Sequence, residues 1–408
     1  MNILMVLNKK FPPDIRVEKE ARSLLKQGHN IYLLASREGD EEEVEEVFGI
    51  NVIRIKRENV NSLARRLRGW QYSLLRIDRH LFLNLEKIIY RYKIEAVHVH
   101  DLPPLQSSLL AAKKHNLPVI ADLHENYPVT KQLNLSQKDL TLRNSLKKAT
   151  IDGYQAWKKH ERKVLSLVDR IVVVVPEAAE RIEAYKLNRE KIFVVSNTED
   201  VDYFTGLEIE SDVVALYRDS FVISYIGALG HHRGVDAAIR AMPDIIEAVP
   251  QAKLLIVGSG RKYDKELQDL AKKAGVTENV IFTGWQPFNM IPSYIEASDL
   301  CLVPHNYSEH TDTTVPHKLF QYMLKKKPVV VSNCRPLKRI VEETQCGLVF
   351  EAENVKDLAE KIISLHKDEA LRMQLAKNGY NAVLEEYNWE KSGAVLCAMY
   401  SGLNDKPD

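Results

Sequence analysis

The sequence alternates short apolar runs with longer amphipathic stretches, and it does so in two successive series. The runs of the first series are NILMVL, NIYLLAS, EAVHVH, PVIADL, RIVVVV and KIFVVS. Those of the second series are FVISYIG, KLLIVG, NVIFTG, DLCLVP, PVVVS and GLVF. A β-rich run followed by a helical stretch is typical of βαβ units. Each series therefore predicts an α/β domain of Rossmann-like, doubly wound type with a parallel sheet.

The length of the chain also favours two domains. Its 408 residues exceed the size at which a single hydrophobic core stops growing. A polar stretch separates the two series, and we interpret residues 201–219 as a linker. The expected domains are therefore residues 1–200 and 220–387, with residues 388–408 as a C-terminal helix.

Charge and cysteine content exclude several classes of protein. The chain has 57 basic and 56 acidic residues, so its net charge of +1 gives no indication of a nucleic-acid partner. Its four cysteines have neither zinc-site spacing nor the density of a disulfide scaffold, which favours a reducing compartment. No positive charge precedes the first apolar run, and no run approaches the ~20 residues that span a bilayer. We therefore expect a cytoplasmic protein.

Ligands of doubly wound sheets bind beyond the carboxyl ends of the strands, so the residues that follow each strand are the first candidates. After the first strand, Asp14 can cap a helix, and Arg16 near its N-terminus could hold a phosphate. An ordinary capped helix with a surface arginine is the alternative.

Two titratable clusters follow neighbouring strands of the first series. One contains His100 and Asp101, and the other contains His124 and Glu125. These side chains could face one site. Structural histidines are one alternative. A zinc site is another, but the residues lie on separate loops without the usual ligand spacing. We predict no metal and no cofactor.

The second series begins with a glycine-rich loop, YIGALGHHRG, that leads from a strand into a helix. It contains Gly227 and ends near Arg233. Loop amides, the helix dipole and the arginine together predict a diphosphate site. The turn at Gly258 could line a nucleotide pocket. It is a weak nicotinamide motif, because Tyr263 occupies the position of the third glycine.

A later segment, TDTTVPHKLFQYM, could complete this site. It places the hydroxyls of Thr313 and Thr314 near a predicted helix start. Lys318 and Gln321 lie one turn apart, so this helix could contact phosphate and ribose together. We expect Lys318 and Arg233 to be solvent-accessible cations.

These motifs, in this order, resemble the landmarks of family 4 of the retaining glycosyltransferases, which have the GT-B fold. The resemblance rests on YIGALGHHRG, LLIVGSG, VIFTGW, ASDLCLVP and VPHKLFQYMLKKKPVVVS in the second series, and on FPPDIRVEKEARSLLKQGH, HVHD, DLHENYP and YNWEKSGAVLCAMY elsewhere. It implies two domains facing each other across a cleft, with the C-terminal helix crossing back to the first domain.

The resemblance also implies roles for individual residues. Arg233 matches the second basic residue that neutralises the donor diphosphate, whereas Ala228 replaces the first. Lys318 matches a lysine of related helices. His124 matches the histidine that approaches the donor sugar, and it is our candidate for catalysis together with the two cations. A retaining reaction by front-face attack is implied, without an enzyme nucleophile and without a metal.

The chain departs from the family at its paired glutamates. Their positions are occupied by Thr313 and Gln321, so both carboxylates are absent. A nucleotide-sugar-binding pseudoenzyme, acting as the partner of an active transferase, is therefore an alternative. A nicotinamide-linked oxidoreductase that binds its cofactor at Gly258 is a third hypothesis.

The segment Leu63–Leu81 is amphipathic and suggests where an acceptor could lie. Its apolar face contains Leu63, Leu67, Trp70, Leu74, Ile77 and Leu81, and its opposite face contains Arg65, Arg68, Arg76 and Arg79. A helix packed on the sheet explains this pattern, and so does a helix on an anionic membrane surface. The expected partners are a UDP- or GDP-linked sugar and a glycan or lipid-linked acceptor in cell-surface polysaccharide synthesis. The expected location is the cytoplasm, with peripheral contact to the inner membrane surface.

Overall fold

The computed structural model describes residues 1–56, 62–136, 153–260 and 262–403, and for residues 62–67, 134–136 and 262 it describes the backbone alone. The chain divides into two units. The first comprises Met1–Ser196 and Ser392–Asp408, and the second comprises Asn197–Lys391. Each unit is built around a mainly parallel sheet, so the predicted fold class is confirmed.

The strands of the first unit are β1 (Asn2–Val6), β2 (Asn30–Arg37), β3 (Val44–Val47), β4 (Ile50–Lys56), β5 (Ala96–His100), β6 (Val119–Leu123), β7 (Arg170–Val173) and β8 (Ile192–Val194). Its helices are α1 (Ile15–Lys26), α2 (Ser62–Leu75), α3 (Arg79–Arg91), α4 (Leu102–Lys114), α5 (Tyr127–Ser136), α6 (Tyr154–Leu165) and α7 (Pro176–Glu183). The sheet order is β3-β4-β2-β1-β5-β6-β7-β8, and β3 pairs with β4 antiparallel.

The central strands of this sheet are buried along their whole length, which is why they read as continuous apolar runs. Every residue of β5 and β6 is buried, including the polar His98, His100 and Asp122. Helix α1 begins where the Asp14 carboxylate accepts a hydrogen bond from the Val17 backbone N–H, as expected from its sequence. The strand ends and the start of α1 together position the polar cluster described below.

The prediction of one continuous helix over Leu63–Leu81 is wrong, because this segment lies in two helices. Helix α2 ends before Arg76, whose φ is 56°, and the side chain of Asp78 caps α3. Arg76 does not lie on an exposed face, since its side chain is buried and its guanidinium lies 3.9 Å from the centroid of the Trp157 ring. Trp70 and Leu74 are exposed. The side chains of Leu63, Arg65 and Leu67 lie outside the described residues.

The second unit has a six-stranded parallel sheet in the order β11-β10-β9-β12-β13-β14. Its strands are β9 (Phe221–Ile226), β10 (Ala252–Val257), β11 (Val280–Gly284), β12 (Leu300–Val303), β13 (Val329–Ser332) and β14 (Gly347–Phe350). Its helices are α8 (Val201–Thr205), α9 (Ser211–Ala215), α10 (Val235–Ala248), α11 (Lys262–Lys273), α12 (Ile291–Glu296), α13 (Lys318–Leu324), α14 (Arg335–Thr344), α15 (Val355–Lys367) and α16 (Glu369–Glu385).

The segment predicted as a linker and the C-terminal segment each belong to one of the two units. Residues 201–219, interpreted as a linker, contain α8 and α9, and they belong to the second unit because Phe204 is fully buried there. The last helix, α17 (Trp389–Ser401), passes into the part of the chain that belongs to the first unit. Among the described residues, no helix combines the length and the hydropathy that a membrane span requires.

Candidate functional site

The first polar cluster lies at the carboxyl ends of β5 and β6, where Asp122 holds two histidines. His124 Nε2 lies 2.6 Å from Asp122 Oδ2, and His100 Nδ1 lies 3.0 Å from the same oxygen. Two nitrogens can share one carboxylate oxygen when each donates an N–H to it. The structure therefore brings His100 and His124 together, as the order of the strands predicted.

Helix α1 supplies the charges that face Asp122. The guanidinium of Arg16 lies 3.0 Å from Asp122 Oδ1 and 2.9 Å from Glu20 Oε1, and it donates to the Val195 carbonyl. Both Arg16 and Glu20 are buried. The alternative of a surface arginine is therefore wrong, because Arg16 is buried against Asp122 and Glu20, and its contact with a phosphate stays a prediction.

These contacts shift the pKa values of the cluster. Burial lowers the pKa of His124, but the carboxylates of Asp122 and Asp101 outweigh it and raise the value to about 9. Burial tends to raise the pKa of Asp122. The positive charges of Arg16 and His124 outweigh this effect and hold the pKa of Asp122 well below its ordinary value. Burial lowers the pKa of His100 to about 4. At neutral pH the loop histidine His124 is therefore a cation, and His100 is neutral.

Spacing along the sequence gave no sign of a metal site, yet the fold gathers four residues that could bind one. Ligand atoms of Glu20, His98, His100 and Asp122 all lie within 4.8 Å of one another. However, Arg16 and His124 already balance the two carboxylates. A divalent cation would add two uncompensated charges in a buried place, which is unfavourable. We therefore interpret this group as an ion-pair network.

The remaining residues predicted on this side have separate contacts. Asp101 accepts a hydrogen bond from the His124 backbone N–H at 3.3 Å, and it lies 3.7 Å from the ammonium of Lys9. Glu125 accepts from the Thr130 hydroxyl, and burial raises the pKa of Glu125. Asp101 thus supports the His124 loop, whereas Glu125 holds the start of α5.

The second cluster lies at the loop after β9, in the second unit. Gly227 has a φ of 132°, and a Cβ built on it would lie 2.8 Å from Lys318 Nζ. Gly258 also has a positive φ, and a Cβ there would overlap the Gly227 carbonyl. Glycine at both positions lets the two loops and the lysine approach closely. Gly227, Gly258 and Lys318 therefore lie together, as the strand-end rule predicted.

Lys318 is not the solvent-accessible cation that the sequence suggested. Its Nζ is buried with no hydrogen-bond partner among the described residues, and it lies 3.5 Å from the centroid of the Tyr225 ring. Burial and then the nearby Arg233 lower the pKa of Lys318 well below its ordinary value. A buried amine without a counterion is the kind of group that an anionic ligand would stabilise.

The residues at the positions of the family glutamates have partners within the protein. The Gln321 side-chain amide donates to Glu199 Oε2 at 2.8 Å, and His317 Nε2 lies 3.1 Å from the same oxygen. Thr313 donates its hydroxyl hydrogen to the Glu309 carbonyl, and Thr314 donates to the His310 carbonyl. Gln321 is therefore less available for ribose than we expected, and Glu199 is a buried carboxylate that the sequence reasoning missed.

Histidines 232, 305 and 310 were also missed. Arg233 lies 3.2 Å from His305 through its Nη1 atom and the ring Nε2 atom, and the His232 and His310 ring centroids are 5.8 Å apart. His305 comes two residues after the end of β12, so the rule that searched strand ends could have found it. Glu20 was signalled by its spacing of four residues from Arg16 on the buried face of α1.

The chain matches two models of protein families that together cover both units. "Glycosyltransferase Family 4" matches residues 15–203, and "Glycosyl transferases group 1" matches residues 208–382. An uncharacterised glycosyltransferase of Methanocaldococcus jannaschii is 28% identical over 187 residues, 46% of either chain. A GDP-mannose-dependent monoacylated alpha-(1-6)-phosphatidylinositol monomannoside mannosyltransferase of Corynebacterium glutamicum is 32% identical over 43% of this chain and 45% of its own. The chain thus spans about half the length of these relatives.

Solved structures match over nearly the whole chain. A sucrose-phosphate synthase from Thermosynechococcus elongatus has a TM-score of 0.77 at 17% identity, over 99% of both chains. An Anabaena protein in complex with UDP and glucose has a TM-score of 0.73 at 16% identity, over 98% of this chain and 100% of its own. Likeness at this level of identity shows the fold.

Proposed function

We propose that this chain, which belongs to family 4 of the glycosyltransferases and has the GT-B fold, transfers a sugar from a nucleoside diphosphate to an acceptor hydroxyl. The observation that carries the proposal is the buried Lys318 amine, which has no hydrogen-bond partner among the described residues, beside Gly227 and with Arg233 near it. A diphosphate would supply the negative charge that this place lacks. The nicotinamide hypothesis is wrong, because the chain belongs to a transferase family.

The proposed mechanism retains the configuration of the sugar. The acceptor hydroxyl attacks the anomeric carbon on the face from which the diphosphate leaves, and its proton passes to an oxygen of the leaving β-phosphate. Arg233 and Lys318 stabilise the charge that develops on that phosphate. His124 is the proposed catalytic residue of the first unit. Since its pKa is about 9, it acts as a charged hydrogen-bond donor and not as a base.

The proposed acceptor is a glycan or a lipid-linked sugar of cell-surface polysaccharide synthesis, reached from the cytoplasmic side of a membrane. The relative from Corynebacterium glutamicum is named for a phosphatidylinositol monomannoside acceptor, and it supports this choice. The exposed side chains of Trp70, Leu74 and Leu75 on α2 support contact with a lipid surface. UDP and GDP are the proposed nucleotides.

A screen of nucleotide sugars by thermal unfolding tests the proposed function. A ligand that prefers the folded state raises the melting temperature, by an amount that grows with its concentration above its Kd. We expect UDP- or GDP-linked sugars to raise it, and Arg233→Ala to abolish that rise. If no nucleotide sugar or nucleoside diphosphate stabilises the protein, the donor site is wrong.

The second candidate function is a nucleotide-sugar-binding partner of an active transferase. It is favoured by the absence of a carboxylate at positions 313 and 321 and by the bond from Gln321 to Glu199. The two functions differ in what happens to the donor that stabilises the protein in the screen. An enzyme consumes this donor, by transfer or by slow hydrolysis, whereas a pseudoenzyme leaves it intact over many hours.

We predict that chelation does not reduce the activity. Arg233 and Lys318 are assigned the neutralisation of phosphate that a metal would otherwise provide. Activity after incubation with EDTA and gel filtration should equal that of untreated protein, measured by release of the nucleoside diphosphate. Loss of activity that magnesium or manganese restores would contradict the assignment to these two cations.

We also predict that α2 and the start of α3 bind anionic vesicles. Each basic residue near an anionic surface is worth about 1 kcal/mol, so the double variant Arg68→Gln with Arg79→Gln should bind roughly 30-fold more weakly. Arg76 is left unchanged because it is buried. The charge-matched control is Lys272→Gln with Lys273→Gln, two exposed positions of α11. If the unmodified protein does not sediment with anionic vesicles at low salt, α2 has no membrane role.

A further inference from the structure

Histidines surround the proposed diphosphate site, and one of them is bound to its arginine. His305 is buried, and its ring Nε2 lies 3.2 Å from the Arg233 guanidinium. An arginine can only donate hydrogen bonds, so Nε2 must accept. His305 is therefore neutral in this arrangement, with its hydrogen on Nδ1. That Nδ1 is also buried and has no hydrogen-bond partner among the described residues.

The charges around His305 all have the same sign. Burial and then Arg233, Lys318, His232 and His310 lower the pKa of His305 well below its ordinary value, and no carboxylate is among these strongest influences. The neighbouring His232 is affected similarly, with burial, Arg233, His310, His231 and Lys318 lowering its pKa to about 3. The free protein thus keeps these rings neutral, because a further positive charge has nothing to balance it.

We propose that His305 is a proton-dependent switch for Arg233: it holds the guanidinium in the free protein and takes up a proton when the donor diphosphate binds. The inference rests on the proposed function of this site. A protonated Nε2 can no longer accept from Arg233, so the guanidinium is released to the phosphate. The imidazolium then donates a hydrogen bond of its own. The proton comes from solvent, and no covalent bond of the protein or ligand changes.

The size of the expected effect supports this proposal. In a partly buried place, one unit charge at about 4 Å shifts a pKa by roughly three units. A nucleoside diphosphate brings more than one negative charge, and each of them raises the pKa of His305 from its lowered value. Binding and protonation are then linked, and each must favour the other.

The test is the pH dependence of the Kd for UDP and GDP between pH 6.5 and 8, measured by calorimetry with the full chain. Uptake of one proton predicts that the Kd falls by about tenfold for each unit that the pH decreases. The proton on the nucleotide's own terminal phosphate acts in the opposite direction, so it cannot produce this slope. Repeating the titration at one pH in buffers of different ionisation enthalpy counts the protons taken up.

His305→Gln separates the switch from a structural role. Its amide oxygen can still accept from Arg233, but the side chain cannot take up a proton, so binding should take up one proton fewer than in the unmodified protein, in which Lys318 also gains a proton, while the variant remains folded. The matched control is His231→Gln, an exposed residue of the same loop, which should keep the slope. A slope that is unchanged in His305→Gln, or a flat Kd in the unmodified protein, overturns the inference alone. If neither diphosphate binds at any pH, the proposed function itself fails.

Discussion

Replacing Asp122 with asparagine should lower the free energy of unfolding by about 3 to 5 kcal/mol, which is typical when one partner of a buried ion pair is removed. The Asp122 carboxylate is fully buried, and it faces Arg16 at 3.0 Å and His124 at 2.6 Å. The Asp122→Asn variant leaves both cations without their shared counterion. Denaturation in guanidinium chloride measures the loss. The control is Asp40→Asn, an exposed position of the same unit, which should change stability by less than about 0.5 kcal/mol.

The pH dependence of stability gives a second measurement on the same variant. The pKa of His124 is about 9 in the folded protein, above its ordinary value of 6.5. The contribution of charged His124 to the free energy of unfolding is therefore complete below about pH 6.5, and it is lost as the pH rises through about 9. Because Asp122 is the main cause of the raised pKa, Asp122→Asn should lose less stability than the unmodified protein over this window. Equal losses in both proteins would contradict the charge assigned to His124.

Arg233→Ala should weaken the binding of UDP or GDP by about 1.5 to 3 kcal/mol, a factor of roughly 10 to 150. Arg233 lies in the loop between β9 and α10, where its guanidinium has no carboxylate partner among the described residues. Activity should fall further, by about 10²- to 10³-fold in kcat, if the arginine also stabilises charge in the transition state. Calorimetry and nucleotide release measure the two effects.

Two other substitutions make this result specific. Lys318→Met keeps the length of the side chain and removes the amine. It should weaken binding in the same direction but by less, because the buried amine must first gain its proton. Arg240→Ala, on the exposed side of α10 beside Asp236, should leave the Kd unchanged. Unchanged affinity in both Arg233→Ala and Lys318→Met would exclude the proposed donor site.

The strands that form continuous apolar runs were predictable from the sequence. All twelve apolar runs named from the sequence coincide with strands. The pair β3 and β4 was missed. Its antiparallel edge strand, VEEV, contains charged residues and is only partly buried, so its period-two pattern is short. The edge strands β8, β11 and β14 were predicted nonetheless, because their runs are apolar.

The positions of the site residues were predictable, but their partners were not. Strand ends indicated His100, His124 and Gly227, because parallel sheets gather such residues at one edge, whereas Lys318 was indicated by its place on a predicted helix. The bond from Arg16 to Asp122 joins residues 106 apart, and the one from Gln321 to Glu199 joins residues 122 apart. Nothing local in the sequence specifies these pairs. The burial of Lys318 was likewise missed, since it depends on how closely Gly227, which has no Cβ, lets the lysine side chain approach.

The return of the chain's end to the first unit has a consequence for synthesis on the ribosome. Tyr400 is fully buried, its hydroxyl lies 2.8 Å from His98 Nδ1, and the Gly402 carbonyl accepts from Arg170. Both contacts are made within the first unit by residues translated 302 and 232 residues after their partners. At about 5 to 20 residues per second, the roughly 200 residues between take about 10 to 40 seconds to emerge. During that interval the nascent first unit lacks this packing, and His98 lacks its tyrosine partner.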